Sequence, residues 1–373
     1  MKRSIAALFP ILALALQIHA QCPDYARTNY SVSGPTRAIA TGDFNGDGKL
    51  DLLAGINDVS GNLALFIGNG DGTFAAPVIT ASGIPFVWSV IVSDFNRDGK
   101  VDVIASNEGS LLAVLLGNGD GTFTKSKVTV DESDDLYDLT ATDFNSDGIP
   151  DLAMLVSNAN KLSVRLGRGD GTFGTATLYP VESVPRDIVA ADFNGDGKVD
   201  LAVSNLSGRS VAVLRNNGDG TFAPTTSYPI NGPANSIAAG DFNHDGKADL
   251  AIGTNSTAAI LLNHGDGTFA AAVEYATGFS VTALAAADLD RDGKTDVVTA
   301  NQSTANISIL LGRGDGTFTS AFHDAVGTTP WGIAIGDFQG DGRLDLAVAN
   351  YGSNNVSVML DQCVAPRRRA VRH

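Results

Sequence analysis

The chain has 373 residues, 43% of them apolar, which excludes disorder and leaves room for two average domains or one large repeat array. Its net charge of −16, from 41 acids against 25 Lys and Arg, argues against a nucleic-acid partner. The acids are clustered along the chain, and clustered acids point to metal.

The N-terminus, MKRSIAALFPILALALQIHAQC, opens with Lys2 and Arg3 and runs apolar from Ile5 to Ile18. This pattern reads as a secretory signal peptide, residues 1–20, cut after Ala20. The run is short for a membrane span and contains Pro10. Export places the mature protein outside the cell or in a periplasm, and loss of Lys2 and Arg3 takes the charge to −18. No later segment is apolar enough to cross a bilayer, so no membrane segment is expected after cleavage; the expected state is a monomer.

Residues 21–363 are built on one repeated segment. It reads DFNGDGKLDL at 43–52, then DFNRDGKVDV (94–103), DFNSDGIPDL (143–152), DFNGDGKVDL (192–201), DFNHDGKADL (241–250), DLDRDGKTDV (288–297) and DFQGDGRLDL (337–346). Successive starts lie 51, 49, 49, 49, 47 and 49 residues apart. In each period an alternating apolar run precedes the motif, a second follows it, and a third follows a polar loop. A Gly-Asp-Gly turn then leads to a fourth run opening with Thr-Phe. Runs of this period and composition are short antiparallel strands, A to D from the inside out. Four strands, seven times over, give an all-β, seven-bladed β-propeller. Twelve of the 17 Phe fall in the Asp-Phe and Thr-Phe slots and are expected to pack between blades.

The seventh repeat stops after its third strand, NVSVMLDQC, and the N-terminus supplies the missing fourth. YSVSGPTRAIATGDF (30–44) aligns with YPINGPANSIAAGDF (228–242), so residues 24–34 are a strand D with no blade of their own. Cys363 stands in the slot of Gly218 and Cys22 in the slot of Gly220, two residues apart across an ordinary C–D turn. A Cys22–Cys363 disulfide is therefore expected to close the ring. Residues 364–373 form a basic C-terminal tail.

Each motif places acids or amides at positions 1, 3, 5 and 9, with glycine at 6 to permit positive φ. Alternate residues of such a loop can turn oxygens inward, and the position-7 carbonyl adds another, which suits a hard cation such as Ca²⁺. The candidate ligands are Asp43, Asn45, Asp47, Lys49 and Asp51 in the first loop and Asp94, Asn96, Asp98, Lys100 and Asp102 in the second. The third and fourth offer Asp143, Asn145, Asp147, Ile149 and Asp151, then Asp192, Asn194, Asp196, Lys198 and Asp200. The fifth and sixth offer Asp241, Asn243, Asp245, Lys247 and Asp249, then Asp288, Asp290, Asp292, Lys294 and Asp296. The seventh offers Asp337, Gln339, Asp341, Arg343 and Asp345. An EF-hand is excluded, because position 12 falls inside a strand, as with Ala54. These loops hold 22 of the 41 acids, and seven Ca²⁺ would bring −18 to −4. Without a cation, three carboxylates on one hairpin repel each other.

On these motifs residues 22–363 resemble the FG-GAP/VCBS repeat family, as in the propeller of integrin α-subunits and related bacterial secreted proteins. The resemblance implies up to seven Ca²⁺, each held by side chains at 1, 3, 5 and 9 and the carbonyl at 7. Asp290 gives loop six the most charge, and the longer Gln339 sets loop seven apart. GRGDGTF, at 167–173 and 312–318, carries Arg-Gly-Asp but is one version of a C–D turn written six times.

No catalytic constellation stands out: His and Glu are scattered over different repeats. The slot six residues before the motif Asp is more telling. It holds Arg37, Trp88, Tyr137, Arg186, Asn235, Thr282 and Trp331, at the start of the inner strand and opposite the acidic loops. Arg37, Trp88, Tyr137, Arg186 and Trp331 are the candidate ligand-binding residues near a channel mouth. The acidic loop DESDDLYD (131–138) lies nearby. The expected function is non-catalytic binding of a protein or carbohydrate, and the alternative is a lyase-like, polysaccharide-active enzyme at the same mouth.

Overall fold

The computed structural model describes residues 23–107, 109–129 and 135–363. The signal segment, Cys22, the acidic residues 131–134 and the basic tail lie outside the described residues.

The described chain forms seven four-stranded antiparallel sheets and no helix. Six are consecutive in sequence; the seventh takes its outer strand from the N-terminus. There Tyr25–Ser31 pairs with Asn355–Asp361 in a register running from Tyr25↔Asp361 to Ser31↔Asn355. First and last segments thus share one sheet.

The inner A strands are Thr36–Gly42, Val87–Ser93, Leu136–Thr142, Pro185–Ala191, Ser236–Gly240, Val281–Ala287 and Pro330–Gly336, which number the blades one to seven. Each packs on the A strands of both neighbours, and the ring closes between blades seven and one. Small residues dominate here, as in TALAAA (282–287), because seven strands converge on one axis. Every residue of strand B is buried in all seven blades, as in Asp51–Ile56. The outer strands, such as Val78–Ala81, are largely exposed.

Apolar burial lies in the seams. Seven hydrophobic clusters each join two neighbouring blades, one per seam. A blade alone could not cover its faces, so stability comes from stacking around the ring. The Phe of each Asp-Phe meets the Phe of the next blade's Thr-Phe edge-on, as in Phe44–Phe123 at 5.9 Å, Phe144–Phe222 at 5.3 Å and Phe74–Phe338 at 5.5 Å. At the sixth seam Leu289 replaces the first Phe, and Tyr25 packs in the same cluster.

Strand D differs from its expected start. Only in blade two does it begin at the Thr-Phe phenylalanine, as Phe123–Thr129. In blades one and three to six that Phe makes one isolated bridge, such as Gly68↔Phe74, and the strand proper begins four residues later. Turning the ring into the seam breaks the ladder, and Pro77 and Pro224 have no N–H with which to continue it.

Candidate metal loops and channel-mouth site

The acidic loops join strands A and B at one end of every blade and share one geometry. The position-1 carboxylate accepts the amides of positions 5 and 6; in loop one, Asp43 accepts from Asp47 at 3.1 Å and Gly48 at 2.8 Å. The same pair of bonds recurs in the other six loops. Two left-handed residues curl the backbone. One is the position-6 glycine, with φ from 78° to 86°; the other is position 4, where Arg97, Ser146, His244 and Arg291 adopt φ of 60° to 62°.

The position-9 aspartates are fully buried in all seven loops. Each accepts at least two backbone amides, one from the loop and one from the end of strand C or just beyond it; Asp51 takes Phe44 at 3.0 Å and Gly68 at 2.8 Å. Asp345 takes Phe338 and Asp361 in the same way. Burial, with repulsion from Asp290 and Asp292, pushes Asp296 up to about 7, and burial likewise pushes Asp345 up to about 6.

One carboxylate oxygen each of Asp288, Asp290 and Asp296 lie within 4.8 Å of one another, the only such group of acids, His or Cys among the described residues. Position 3 is an amide in the other loops. Asn45 and its counterparts accept the position-5 amide, whereas Gln339 does not, and its buried Oε1 has no partner. The position-5 acid turns outward to the base at 7 in six loops, as in Lys49–Asp47 at 3.5 Å and Lys294–Asp292 at 2.6 Å. Ile149 cannot do this, and Asn145 donates to Asp147 instead. In loop six positions 1, 3 and 9 thus converge as an oxygen set of the chemistry hard cations take, and the other loops offer the same positions with an amide at 3.

The C–D turns hold their acids internally. Asp170 and Asp315 each accept the amide and hydroxyl of the Thr two residues on, and Arg313 donates to the Phe318 carbonyl at 2.6 Å. Both Arg-Gly-Asp copies are therefore exposed turns whose aspartates are held by their own threonines.

At the other end of the A strands a cavity of about 430 Å³ opens on the ring axis. In six blades the A–B ladder slips one residue at the slot six before the motif, between Thr36 and Ala38 in blade one and equivalently in blades two, three, four, six and seven. Such bulges re-aim a side chain, and the seven slot residues all line the cavity.

Five of them and one neighbour form a continuous arc. The Arg37 guanidinium carbon lies 3.1 Å from the Trp88 ring centroid and 3.5 Å from that of Trp331. Trp88 meets Tyr137 edge-on at 4.8 Å, Arg186 lies over Tyr137 at 4.6 Å, and Trp331 touches Tyr351 at 6.3 Å. The indole faces flanking Arg37 are thereby covered by its guanidinium. On the other side of the mouth stand Asn235, Asn255, Gln302 and Thr282.

Asp138, the last residue of the acidic run 131–138, and Asp187, which none of the motifs marked, stand one residue further along the A strand. The Asp138 carboxylate accepts the Ser89 hydroxyl at 2.7 Å, while Asp187 accepts the amides of Ile188 and Ile237, each at 2.8 Å. Burial, the adjacent Asp138 charge and a hydrogen bond between the two carboxyls hold Asp187 well above the usual carboxylate range. The slot could have revealed them: it reads Ala38, Ser89, Asp138, Asp187, Ser236, Ala283 and Gly332, two acids among small residues.

Among solved structures, the chain is similar to an Agrocybe aegerita lectin described as recognising non-reducing terminal N-acetylglucosamine (20% identity, TM-score 0.60, 88% of this chain and 86% of that one). It is similar to the BP39L lectin of Burkholderia pseudomallei (14%, 0.66, 90% and 98%) and to BBS1N in complex with ARL6DN (12%, 0.66, 91% and 98%). At these identities the likeness shows the fold alone. No curated protein matches the chain in sequence. A sequence profile of the FG-GAP-like repeat matches six times, at 43–105, 94–154, 143–203, 192–252, 241–299 and 288–348, each match running from one acidic loop into strand B of the next blade. Motif, pitch and blade coincide over most of the chain, which belongs to the FG-GAP-like repeat family as a seven-bladed β-propeller.

Proposed function

We propose that this chain is a secreted, Ca²⁺-stabilised propeller that binds a glycan or protein ligand at the channel mouth and performs no catalysis. The observation that carries the reading is the arc from Tyr351 to Arg186, which gathers both tryptophans and two cations of an acidic chain around one cavity. Bulky aromatic and guanidinium groups at a concave, half-buried opening are the residues that dominate binding sites. The two lectins of the same fold are consistent with a glycan, and the BBS1N complex with a protein.

Ca²⁺ belongs to the opposite face. The oxygen set of positions 1, 3 and 9, the buried Gln339 Oε1 and the raised Asp296 carboxyl all fit a divalent cation, which would remove the repulsion among the acids. Seven such ions would hold the A–B hairpins; they take no part in the mouth.

A second reading, a lyase-like enzyme, rests on the Asp138–Asp187 pair, because a carboxyl that holds its proton above the usual carboxylate range can serve as an acid in a cavity. A glycan array combined with a polysaccharide-depolymerisation screen separates the two. Retained glycan or protein binding without product, lost in Trp88→Ala and Trp331→Ala, supports the binding module. Turnover abolished by Asp187→Asn overturns it.

A further inference from the structure

Among the described residues, Arg186 stands at the mouth without a counter-ion. Arg186 is half-buried, lies over the Tyr137 ring, and makes no hydrogen bond or ion pair among the described residues. The acids beside it are engaged elsewhere: Asp138 by Ser89 and Asp187, and Asp187 by Asp138 and two backbone amides. Across the arc, Arg37 is clamped between two indole rings. Stacking on Tyr137 fixes the Arg186 guanidinium, so little side-chain freedom is lost when it receives a ligand.

This geometry argues against a ligand that stacks between the tryptophans, because Arg37 already lies over both rings. It favours a planar anion, since a guanidinium edge offers two parallel N–H groups to a carboxylate. The far wall adds the amides of Asn235, Asn255 and Gln302, which pair with hydroxyls. A cavity of about 430 Å³ lies within the range for small-ligand sites. We propose that the channel mouth binds an acidic saccharide, its carboxylate held by Arg186 and its hydroxyls by the amide wall. This deepens the binding-module reading and rests on it.

The test is calorimetric titration of the mature, Ca²⁺-loaded protein with trigalacturonate, its neutral methyl ester and a polyglutamate peptide, beside an array of acidic and neutral glycans. Trigalacturonate or another carboxylated glycan is expected to bind, its neutral ester at least tenfold more weakly. Arg186→Gln is expected to remove most of that difference, and Arg186→Lys, which keeps the charge but not the fork, to fall between. A melting curve of each variant matching the parent's shows that the fold is retained. Equal affinity for acid and ester, unchanged binding by Arg186→Gln, or capture of polyglutamate but no glycan overturns the inference. Neutral glycans that bind and are lost in Trp88→Ala overturn this inference but leave the binding module standing; absence of any glycan or protein ligand overturns both.

Discussion

The backbone amide of Gly121 donates to the carbonyl oxygen of Phe44 at 2.9 Å, joining the C–D turn of blade two to the acidic loop of blade one. The bond recurs around the ring, from Gly171 to Phe95, Gly267 to Phe193, Gly316 to Phe242 and Gly72 to Phe338. At the third seam the Asn216 side chain serves, donating to Phe144 at 2.9 Å. Six of the seven acidic loops therefore support both their own hairpin and one edge of the next seam, so whatever fixes their shape stiffens most of the ring.

Removing Ca²⁺ should loosen these supports together. A ligand at a hundred times its Kd adds about 2.7 kcal/mol per site, and a large domain shifts by roughly 2–4 °C per kcal/mol. Chelation is therefore expected to lower the melting temperature by about 10 °C or more, and excess Ca²⁺ to restore it. A melting curve that chelator leaves unchanged would remove Ca²⁺ from the account.

The buried position-9 aspartates should matter for folding beyond any metal. Asp200 accepts the Phe193 amide at 3.1 Å and the Asn216 amide at 2.7 Å with no exposure to solvent. Asp200→Ala leaves two buried donors unmet, a loss of about 2–6 kcal/mol. Asp219→Ala, in an exposed C–D turn, is expected to cost clearly less. Urea unfolding in chelator compares them, and equal losses would refute the clasp.

The ring and its closure were legible because each signal was written many times. A slot occupied by Phe in six Asp-Phe pairs admits few explanations, and the structure packs those rings edge-on across the seams. What a single repeat cannot show is contact between unlike slots. Arg37 reads alone as a polar residue on an inner strand, and only the curvature of the ring sets it between Trp331 and Trp88. Asp138 and Asp187 lie 49 positions apart, and each looks like a single deviation from a small residue until adjacent blades bring the carboxyls together. The late start of strand D was hidden for a similar reason: Thr-Phe has strand chemistry, but the seam claims the Phe.

The Asp138–Asp187 pair carries a pH signature. Burial beside Asp138 makes Asp187 hold its proton to higher pH in the folded protein than in the unfolded chain, which releases it near pH 4. A raised folded-state value means the folded form binds the extra proton. That contribution is complete at acid pH and is lost as pH rises from about 4 through the folded value. The slope is at most about 1.4 kcal/mol per pH unit for one group. Asp187→Asn, which cannot ionise, is expected to flatten this part of the profile in Ca²⁺-saturated protein, read as urea midpoints at pH 5, 6 and 7. Parallel profiles for parent and variant would show that the pair does not share a proton.

Ring closure gives the last prediction. The N-terminal strand is held to blade seven by its ladder, by Gln362 donating to the Asp24 carbonyl at 2.7 Å, and by Ser357 donating to Asn29 at 2.8 Å. Cys363 follows directly, its amide bonded to Asp361 and its carbonyl accepting from Arg343. No cysteine among the described residues is free; Cys22, the expected partner, lies outside them. A cross-link spanning nearly the whole chain restricts the unfolded state by roughly 4–5 kcal/mol on the entropic account. Cys363→Ser, or reduction of the native protein, is therefore expected to lower the unfolding midpoint while leaving the seven sheets intact by circular dichroism, because the ladder and seam contacts remain. Non-reducing mass spectrometry of secreted material should find the Cys22 and Cys363 peptides joined. Two free thiols there would mean that hydrogen bonds and packing alone close the ring.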